Sequence, residues 1–215
     1  MSAIFPKSSD TIVRLAGLGI VAALGAGAAM YAYFSHPKVL DTGYTPAQPV
    51  PYSHKLHAGN LGMDCRYCHF TVEQSSYAAV PPTEVCMNCH VRVKPQSTQL
   101  QRVRESHASG EPIPWVKVHK LPDYVYFNHK AHVSAGVGCS SCHGRVDQMI
   151  EVKQVQPLSM AWCLECHRNP SANLRPPELV TKLDWRPDRD PAEIGREIIQ
   201  ARRIAPPVNC SGCHR

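Results

Sequence analysis

Cys65-Arg66-Tyr67-Cys68-His69 is the first of five copies of the pattern Cys-x-x-Cys-His in this chain. The other four, which together with the first we number motifs 1 to 5 in chain order, are Cys86-Met87-Asn88-Cys89-His90, Cys139-Ser140-Ser141-Cys142-His143, Cys163-Leu164-Glu165-Cys166-His167 and Cys210-Ser211-Gly212-Cys213-His214. All ten cysteines lie in these motifs. Two thiols at this spacing can add to the two vinyl groups of one haem, and the adjacent histidine then binds the iron. The pattern therefore predicts five haem c groups, with the five motif histidines as proximal ligands.

Three other kinds of site use closely spaced cysteines, namely disulfides, thioredoxin-like redox pairs and zinc knuckles. None of these sites needs a histidine directly after the second cysteine, whereas every copy in this chain has one. We therefore interpret the chain as a pentahaem c-type cytochrome.

The length of the chain limits how five haems can be housed. Of 215 residues, about 180 follow an apolar N-terminal segment, and this is too little polypeptide for five separate cores. The chain has 19 prolines and only four phenylalanines, a composition that favours loops over a regular bundle or sheet. We expect a mainly irregular and α-helical fold in which the chain wraps a stacked five-haem core.

The formal charge of +6 is typical of nucleic-acid-binding proteins as well as of other classes. Each haem carries two propionates, however, so five haems cancel the excess of basic side chains. We therefore expect Arg and Lys to pair with propionates, and we expect no nucleic-acid partner. Because haem c is attached on the outer side of the bacterial plasma membrane, the haem-binding region is predicted to be periplasmic.

The N-terminal segment is predicted to anchor the chain in the plasma membrane. Residues 15–35 carry no charge, which is long enough to cross a bilayer. Tyr31, Tyr33 and Phe34 are typical of the interface where a helix leaves the membrane. We expect residues 1–11 in the cytoplasm, a single membrane-spanning helix over 12–35, and the haem domain outside. The alternative is a cleaved signal peptide, with Ala and Gly near residues 25–29 as the cleavage site.

The region after the anchor contains an internal duplication. A Pro-containing linker over 36–51 leads to Tyr52-Ser53-His54-Lys55-Leu56-His57 and then to motifs 1 and 2. The second copy has Phe127-Asn128-His129-Lys130-Ala131-His132, followed by motifs 3 and 4. A repeat of this kind predicts two structural modules. We place module 1, with two haems, at 52–110 and module 2, with three haems, at 111–215.

Two helices are predicted outside the repeated elements. A short one lies within 97–106 and ends near Gly110. The other begins at Asp190-Pro191, since Asp is a good N-cap and Pro a good first residue, and it continues to about Arg203. The stretch 112–123 is expected to be extended because of its prolines.

Seven histidines lie outside the motifs, at positions 36, 54, 57, 107, 119, 129 and 132. Four of them form the two His-x-x-His pairs of the repeat. An aromatic-x-His-x-x-His element before Cys-x-x-Cys-His resembles the class III multihaem cytochromes, the c3 and c7 family. This resemblance implies that the first histidine of each pair is the distal ligand of the next haem, and the second that of the following haem. The implied pairs are His54 with motif 1, His57 with motif 2, His129 with motif 3 and His132 with motif 4.

In that family a further distal ligand lies three residues before the first cysteine of a unit's second motif. This ligand binds the iron of the haem that comes after that motif's haem. Here the position holds Thr83 in module 1 and Met160 in module 2. Threonine does not bind haem iron usefully, whereas a methionine thioether does and raises the potential. Met160 is therefore the predicted distal ligand of motif 5. The alternatives are His119 and, more weakly, Met149.

If all five irons have two protein ligands, none is open to a substrate and the protein can only pass electrons. The N-terminal anchor, the repeated His-Lys-x-His elements, residues 121–129 and residues 158–163 together resemble the membrane-anchored pentahaem cytochrome subunits of alternative complex III. The resemblance implies a quinol-oxidising complex with a large iron–sulfur subunit, multispanning quinol-binding membrane subunits and a monohaem cytochrome c subunit. Electrons are expected to leave to a periplasmic cytochrome or copper carrier, or to an oxidase.

Two other functions are compatible with several haems and one anchor. The first is a single-anchor quinol dehydrogenase that feeds a periplasmic reductase. That family has a methionine shortly after its first haem motif, whereas Phe70, Thr71 and Val72 follow motif 1 here. The second is a multihaem reductase with one open haem, which the complete set of candidate ligands disfavours.

Overall fold

The N-terminal part of the molecule is one long helix. The computed structural model describes residues 5–6 and 8–214, so part of the predicted cytoplasmic segment, residues 1–4 and 7, lies outside the described residues. Helix α1 (Ser8–Phe34) has 27 residues, all of them apolar or uncharged except Asp10 and Arg14. At about 1.5 Å per residue such a helix exceeds the roughly 30 Å of a hydrocarbon core. It is the one described helix with the length and composition to span a membrane, and a signal sequence has the same properties.

The chain divides into two compact units, residues 1–40 and 41–215. The first contains α1 and a short helix, α2 (Pro37–Leu40), which lies within the segment predicted to be a linker. The second contains the five motifs. Its α-helices are short, and they are α3 (Cys65–Cys68), α4 (Thr83–His90), α5 (Gln101–Ser109), α6 (His129–Ala135), α7 (Cys139–His143), α8 (Met160–Arg168) and α9 (Pro191–Arg202).

The rest of the second unit is irregular. It has a π-helical turn, Lys55–Asn60, and 3₁₀ turns at Thr98–Leu100, Val146–Gln148, Ser171–Asn173, Pro177–Leu179 and Cys210–Gly212. The described residues form no β-strand, only isolated bridges between Val125 and His214 and between Val137 and Leu174. The expected mainly helical and irregular fold is therefore confirmed.

The helix starts and stops follow local side-chain chemistry. Asp64, Asn128, Ser159 and Asp190 each accept a hydrogen bond from a backbone N–H of the first turn of the helix that follows. Such N-caps satisfy donors that have no partner inside a helix. The predicted helix after Asp190 is confirmed as α9. The helix predicted within 97–106 is also confirmed, and α5 ends at Gly110, whose φ of 76° is readily adopted only by glycine.

The protein's own hydrophobic core is small. Seven apolar side chains are buried among the described residues, and they are Val50, Val103, Ile113, Val133, Leu174, Val180 and Ile194. Three of them, Val50, Val103 and Ile113, form a cluster against which Cys86 and Trp115 pack. A chain of this length normally buries far more apolar side chains than this. The scarcity of core residues agrees with a fold that is completed by large apolar cofactors.

The last third of the second unit packs around motif 3. Helix α9 lies against the turn Ser171–Asn173, and the approach is so close at Gly195 that a Cβ there would collide with the Ser171 carbonyl. Leu174 and Val180, which follow that turn, are the most deeply buried large side chains. The Val180 carbonyl accepts a hydrogen bond of 3.0 Å from the Cys139 N–H. This segment therefore fixes the position at which motif 3 begins.

Candidate haem-binding site

All five motifs include a helical turn. Motif 1 starts with α3, motif 2 ends α4, motif 3 forms α7, motif 4 lies in α8, and motif 5 begins with the turn Cys210–Gly212. Residues three apart in a helical turn lie on the same face. The two thiols of each motif are therefore presented to the same side, as attachment to one planar cofactor requires.

No disulfide joins any of the ten cysteines. Burial raises the pKa of Cys142 to about 12, and it raises the pKa of Cys68, Cys86 and Cys166 as well. Zinc sites need thiolates, and in the described part of the chain no three or more His, Cys, Asp or Glu side chains form a metal-ligating cluster. Burial at these four cysteines therefore favours neutral sulfur, which is the form a thioether has.

Four of the five motif histidines are oriented by a backbone carbonyl. The Nδ1 atoms of His69, His90, His167 and His214 lie 2.6, 3.0, 2.7 and 3.1 Å from the carbonyl oxygens of Ala79, Val93, Pro207 and Tyr124. A carbonyl only accepts, so Nδ1 carries the proton and Nε2 keeps its lone pair. This is the usual second-shell arrangement of a histidine that binds a metal through Nε2.

In motif 3, the Nδ1 atom of His143 lies next to another histidine and not next to a backbone carbonyl. Its Nδ1 lies 3.3 Å from Nε2 of His119, and the two rings meet edge to face at 4.4 Å. Burial, followed by the neighbouring histidines, lowers the pKa of His143 to about 3, so this ring is neutral. If His143 binds iron through Nε2, its Nδ1–H donates to His119.

The predicted proximal and distal histidines face each other in three cases. The ring centroids are 6.2 Å apart for His57 and His90, and 6.0 Å apart for His132 and His167. Those of His129 and His143 are 6.4 Å apart, with the rings nearly parallel at 7°. Two imidazoles that share one metal through bonds of roughly 2 Å each have centroids about 6 Å apart. These three pairs therefore fit an iron between them.

The fourth predicted pair, His54 and His69, is close enough for its charges to interact. Burial lowers the pKa of His54 to about 4, and the charge of His69 lowers it further. The Nδ1 atom of His54 is buried without a hydrogen-bond partner in the described structure. His54 is thus a neutral ring next to motif 1, as a distal ligand must be.

Each distal pair is held by the aromatic residue that precedes it. Tyr52 stacks on His57 at 4.5 Å and meets His54 edge-on at 4.8 Å. Phe127 does the same in module 2, with 4.5 Å to His132 and 4.7 Å to His129. The second histidine of each pair also places Nδ1 near the carbonyl four residues earlier, at 2.9 Å for His57 and 2.7 Å for His132. Both features leave Nε2 available for iron.

The distal ligand of motif 5 is less completely defined. Met160 is the first residue of α8, and its side chain is 67% exposed. Thr83 takes the equivalent place as the first residue of α4. His119, the alternative, has its Nε2 next to His143 of motif 3 and not next to His214. The assignment of Met160 to motif 5 stays a prediction.

Arg175 lies against motif 3, and no sequence pattern marks it as a site residue. It is 8% exposed, donates to the Lys182 carbonyl at 2.9 Å and to Ser140 Oγ at 3.2 Å, and lies over the ring of Trp185 at 5.0 Å. Its role depends on contacts between distant parts of the chain, and no local motif marks it. The same holds for the contact between His119 and His143.

The chain is similar in sequence to known c-type cytochromes. Residues 125–215, which contain motifs 3 to 5, match the family described as cytochrome c7 and related cytochrome c. The chain is also similar to the menaquinone reductase multihaem cytochrome c subunit of Nitratidesulfovibrio vulgaris (strain Hildenborough), with 34% identity over 127 residues. That alignment covers 59% of this chain and 56% of the relative, so the chain spans about half the length of the curated relative it matches. Residues 125–215 therefore form a cytochrome c7-like multihaem domain.

Proposed function

We propose that this chain is a membrane-anchored electron-transfer subunit that carries five haem c groups and relays electrons between the quinone pool and a periplasmic redox partner. The observation that carries the proposal is the set of three facing histidine pairs, with ring centroids 6.0 to 6.4 Å apart. When both axial positions of an iron are taken by protein ligands, a substrate cannot bind there. The remaining activity of such a haem is transfer of single electrons.

The residues of the chain have three tasks in this relay. The ten motif cysteines attach the haems, and His69, His90, His143, His167 and His214 bind the irons from the proximal side. His54, His57, His129, His132 and Met160 bind them from the distal side. The hydrogen bonds at Nδ1 hold the rings in the orientation and protonation state that ligation needs. Haem supplies the one-electron redox chemistry when it is attached.

Helix α1 anchors the subunit in this proposal. None of its residues is buried, and it has the length and composition of a membrane-spanning helix. With the N-terminus in the cytoplasm, the haem domain lies in the periplasm, where c-type haems are attached. The alternative of a cleaved signal sequence, with cleavage near residues 25–29, predicts a mature chain that begins shortly after these residues.

The complex we favour is a quinol-oxidising one of the alternative complex III type. Its other members would be a large iron–sulfur subunit, multispanning quinol-binding membrane subunits and a monohaem cytochrome c subunit. Quinol oxidation takes place on those partners, and this chain is not an enzyme by itself. The sequence features at residues 121–129 and 158–163 support this choice.

A second function, relay of electrons toward menaquinone, is favoured by one specific observation. The relative with 34% identity is named as a subunit of a menaquinone reductase. The two functions use the same haem relay and differ in the direction of the electrons and in the periplasmic partner.

Both functions are tested by purifying the complex through this chain from membranes in mild detergent. We expect an iron–sulfur subunit and multispanning membrane proteins to accompany it, and menaquinol or ubiquinol to reduce its haems. Reduction of added menaquinone by an electron-loaded periplasmic cytochrome, without reduction of the haems by quinol, would instead establish the menaquinone reductase function. Recovery of the chain alone, or with a soluble periplasmic reductase, would contradict the favoured complex and support a single-anchor quinol dehydrogenase.

A further inference from the structure

Motifs 1 and 3 begin side by side, although they belong to different modules. The Cys139 N–H donates to the Val180 carbonyl at 3.0 Å, and the next residue, Thr181, donates from Oγ1 to Asp64 at 2.9 Å. Asp64 is the N-cap of the helix that starts with Cys65. The segment 180–181 thus clamps the first cysteines of the two modules together.

Motif 2 lies on the other side of motif 1. The amide of Asn88, inside motif 2, donates to the hydroxyl of Tyr67, inside motif 1, at 3.2 Å. Tyr52 contacts the predicted distal ligands of both motifs, His54 at 4.8 Å and His57 at 4.5 Å. The predicted distal ligands of these motifs, His54 and His57, are three residues apart, so they are also neighbours.

Motif 4 follows motif 3 in space. His129 and His132 lie on one turn of α6 and face His143 and His167, at 6.4 and 6.0 Å. Module 2 therefore holds its first two motifs next to each other, as module 1 does.

Motif 5 is joined to motif 4. The proximal His167 donates from Nδ1 to the Pro207 carbonyl at 2.7 Å, and Pro207 lies three residues before the first cysteine of motif 5. Motifs 4 and 5 are therefore neighbours.

The exposure of the cysteines agrees with these four neighbour relations. Eight cysteines are partly buried, and the two exposed ones are Cys89 and Cys210. Cys89 belongs to motif 2 and Cys210 to motif 5, which are the two motifs with a single neighbour. A motif at the end of a row is expected to be more accessible than one between two others.

We propose that the five motifs form one unbranched row in the spatial order 2, 1, 3, 4, 5, and that motifs 2 and 5 exchange electrons with the redox partners. This proposal rests on the proposed function, since it needs a haem at every motif. Within module 1 the two motifs lie in the reverse of their order in the chain, with motif 2 at the end of the row and motif 1 next to motif 3. Electrons cross between the modules at motifs 1 and 3, where Asp64, Thr181 and Val180 hold the two starts together.

The positions of the irons test the row directly. Cryo-electron microscopy of the complex purified through this chain gives the order of the five irons. The proposal predicts that the iron of motif 1 has those of motifs 2 and 3 as its nearest neighbours, and that those of motifs 2 and 5 lie at the ends. Five haems with motif 2 between motifs 1 and 3 would overturn the row but leave the proposed function intact. Fewer than five haems would overturn the proposed function itself.

Two matched variants test the row through electron transfer. One lacks the haem of motif 1 (Cys65→Ala with Cys68→Ala), and the other lacks that of motif 2 (Cys86→Ala with Cys89→Ala). In the proposed row, loss of motif 1 separates motif 2 from motifs 3, 4 and 5. A donor acting at motif 2 then reduces one of the four remaining haems, and a donor acting at motif 5 reduces three. Loss of motif 2 removes an end, so the same donor reduces all four or none.

If the row followed the order of the chain, loss of motif 2 would leave one or three haems reduced, and loss of motif 1 would leave all four or none reduced. That result would overturn the proposal. The measurement is the fraction of haem reduced by quinol in each complex, relative to dithionite, within the time that the unmodified complex needs for full reduction. Quinol that reduces no haem in the unmodified complex would count against the proposed function and not against the order. If a variant does not assemble, the iron positions in the unmodified complex still decide the order.

Discussion

The two distal histidine pairs, His54/His57 and His129/His132, have the same local geometry in different backbones. The first lies at the start of the π-helical turn Lys55–Asn60, and the second in the α-helix α6. In both, the preceding aromatic ring stacks on the second histidine and meets the first edge-on. The element aromatic-x-His-x-x-His therefore determines its own geometry through contacts within a few residues.

The pairs differ in the contacts made by distant residues. The Nδ1 of His129 lies 2.9 Å from the Ser76 carbonyl in module 1, and the N–H groups of His129 and Lys130 donate to residues 76 and 75. His54 has no such partner for its Nδ1 within the described structure. Module 2 thus uses module 1 to hold its first distal ligand. The duplicated elements kept their local contacts, whereas the contacts between modules are specific to each copy.

The largest difference between the modules is predicted at the first residue of the helix that carries each module's second motif. This residue is Thr83 in α4 and Met160 in α8. If Met160 is the distal ligand of motif 5, replacing it with Ala leaves the iron of that motif five-coordinate. We expect one haem in five to bind carbon monoxide after reduction, as measured by its absorption spectrum. The matched variant Thr83→Ala in module 1 should bind none. If neither variant binds carbon monoxide, the fifth distal ligand is not Met160.

The second prediction asks whether His57 and His132 are equivalent ligands. In each variant, His57→Met or His132→Met, one haem changes from bis-His to His/Met ligation. Because a thioether stabilises the reduced iron, we expect the potential of that haem to rise by a part of the roughly 0.8 V range that axial ligands cover. A spectroelectrochemical titration measures the shift. An unchanged potential in one variant alone would show that the repeat is not functionally symmetric.

The third prediction concerns the residues that cap the two pairs. Ser53 Oγ accepts from the Leu56 N–H at 3.2 Å, and Asn128 Oδ1 accepts from the Ala131 N–H at 3.3 Å. Replacing either residue with Ala removes the cap and should lower the free energy of unfolding by about 1 kcal/mol. Denaturant titration of the two holo-proteins measures the loss. Equal losses support equivalent caps, and a loss at only one position would show that the other cap contributes nothing.

The smallest effect is expected from the carboxylate of Asp64, which directly precedes motif 1 and has no equivalent before motif 3 in module 2. The hydrogen bond from Arg66 lowers the pKa of Asp64 to about 2, below the ordinary value of about 3.9. Its stabilisation is complete above about pH 4 and is lost as the pH falls through about 2. The Asp64 side chain is 40% exposed, so solvent screening keeps the effect small.

The variant Asp64→Asn tests this effect, and module 2 has Gly138 at the equivalent position. Thermal unfolding of the unmodified protein should lose more stability between pH 4 and pH 2 than that of the variant. Parallel acid profiles for the two proteins would show that the ion pair with Arg66 does not stabilise the fold.

Local sequence was enough to predict much of this molecule. The motifs, the duplicated histidine elements, α9 and the helix ending at Gly110 each depend on contacts within a few residues, and the sequence shows all of these residues together. The facing pairs His57/His90 and His132/His167 were expected from the family resemblance.

Other features depend on where distant segments meet, and they could not be predicted. The contact of His119 with His143, the buried position of Arg175 and the clamp between Thr181 and Asp64 join residues from 24 to 117 positions apart. No spacing or composition signals them. The distal ligand of motif 5 is predicted as Met160 only through the family resemblance, because nothing local connects Met160 to a motif that lies 50 residues later, and this assignment stays a prediction.

The measurement that tests the account most directly combines the haem count and the ligand state of the unmodified protein. Intact-mass spectrometry of the purified chain should give the polypeptide plus five haems. The reduced protein should show no spectral change on exposure to carbon monoxide, because every iron has two protein ligands. Fewer than five haems, or a carbon monoxide complex in the unmodified protein, would contradict a closed five-haem relay and favour a reductase with an open haem.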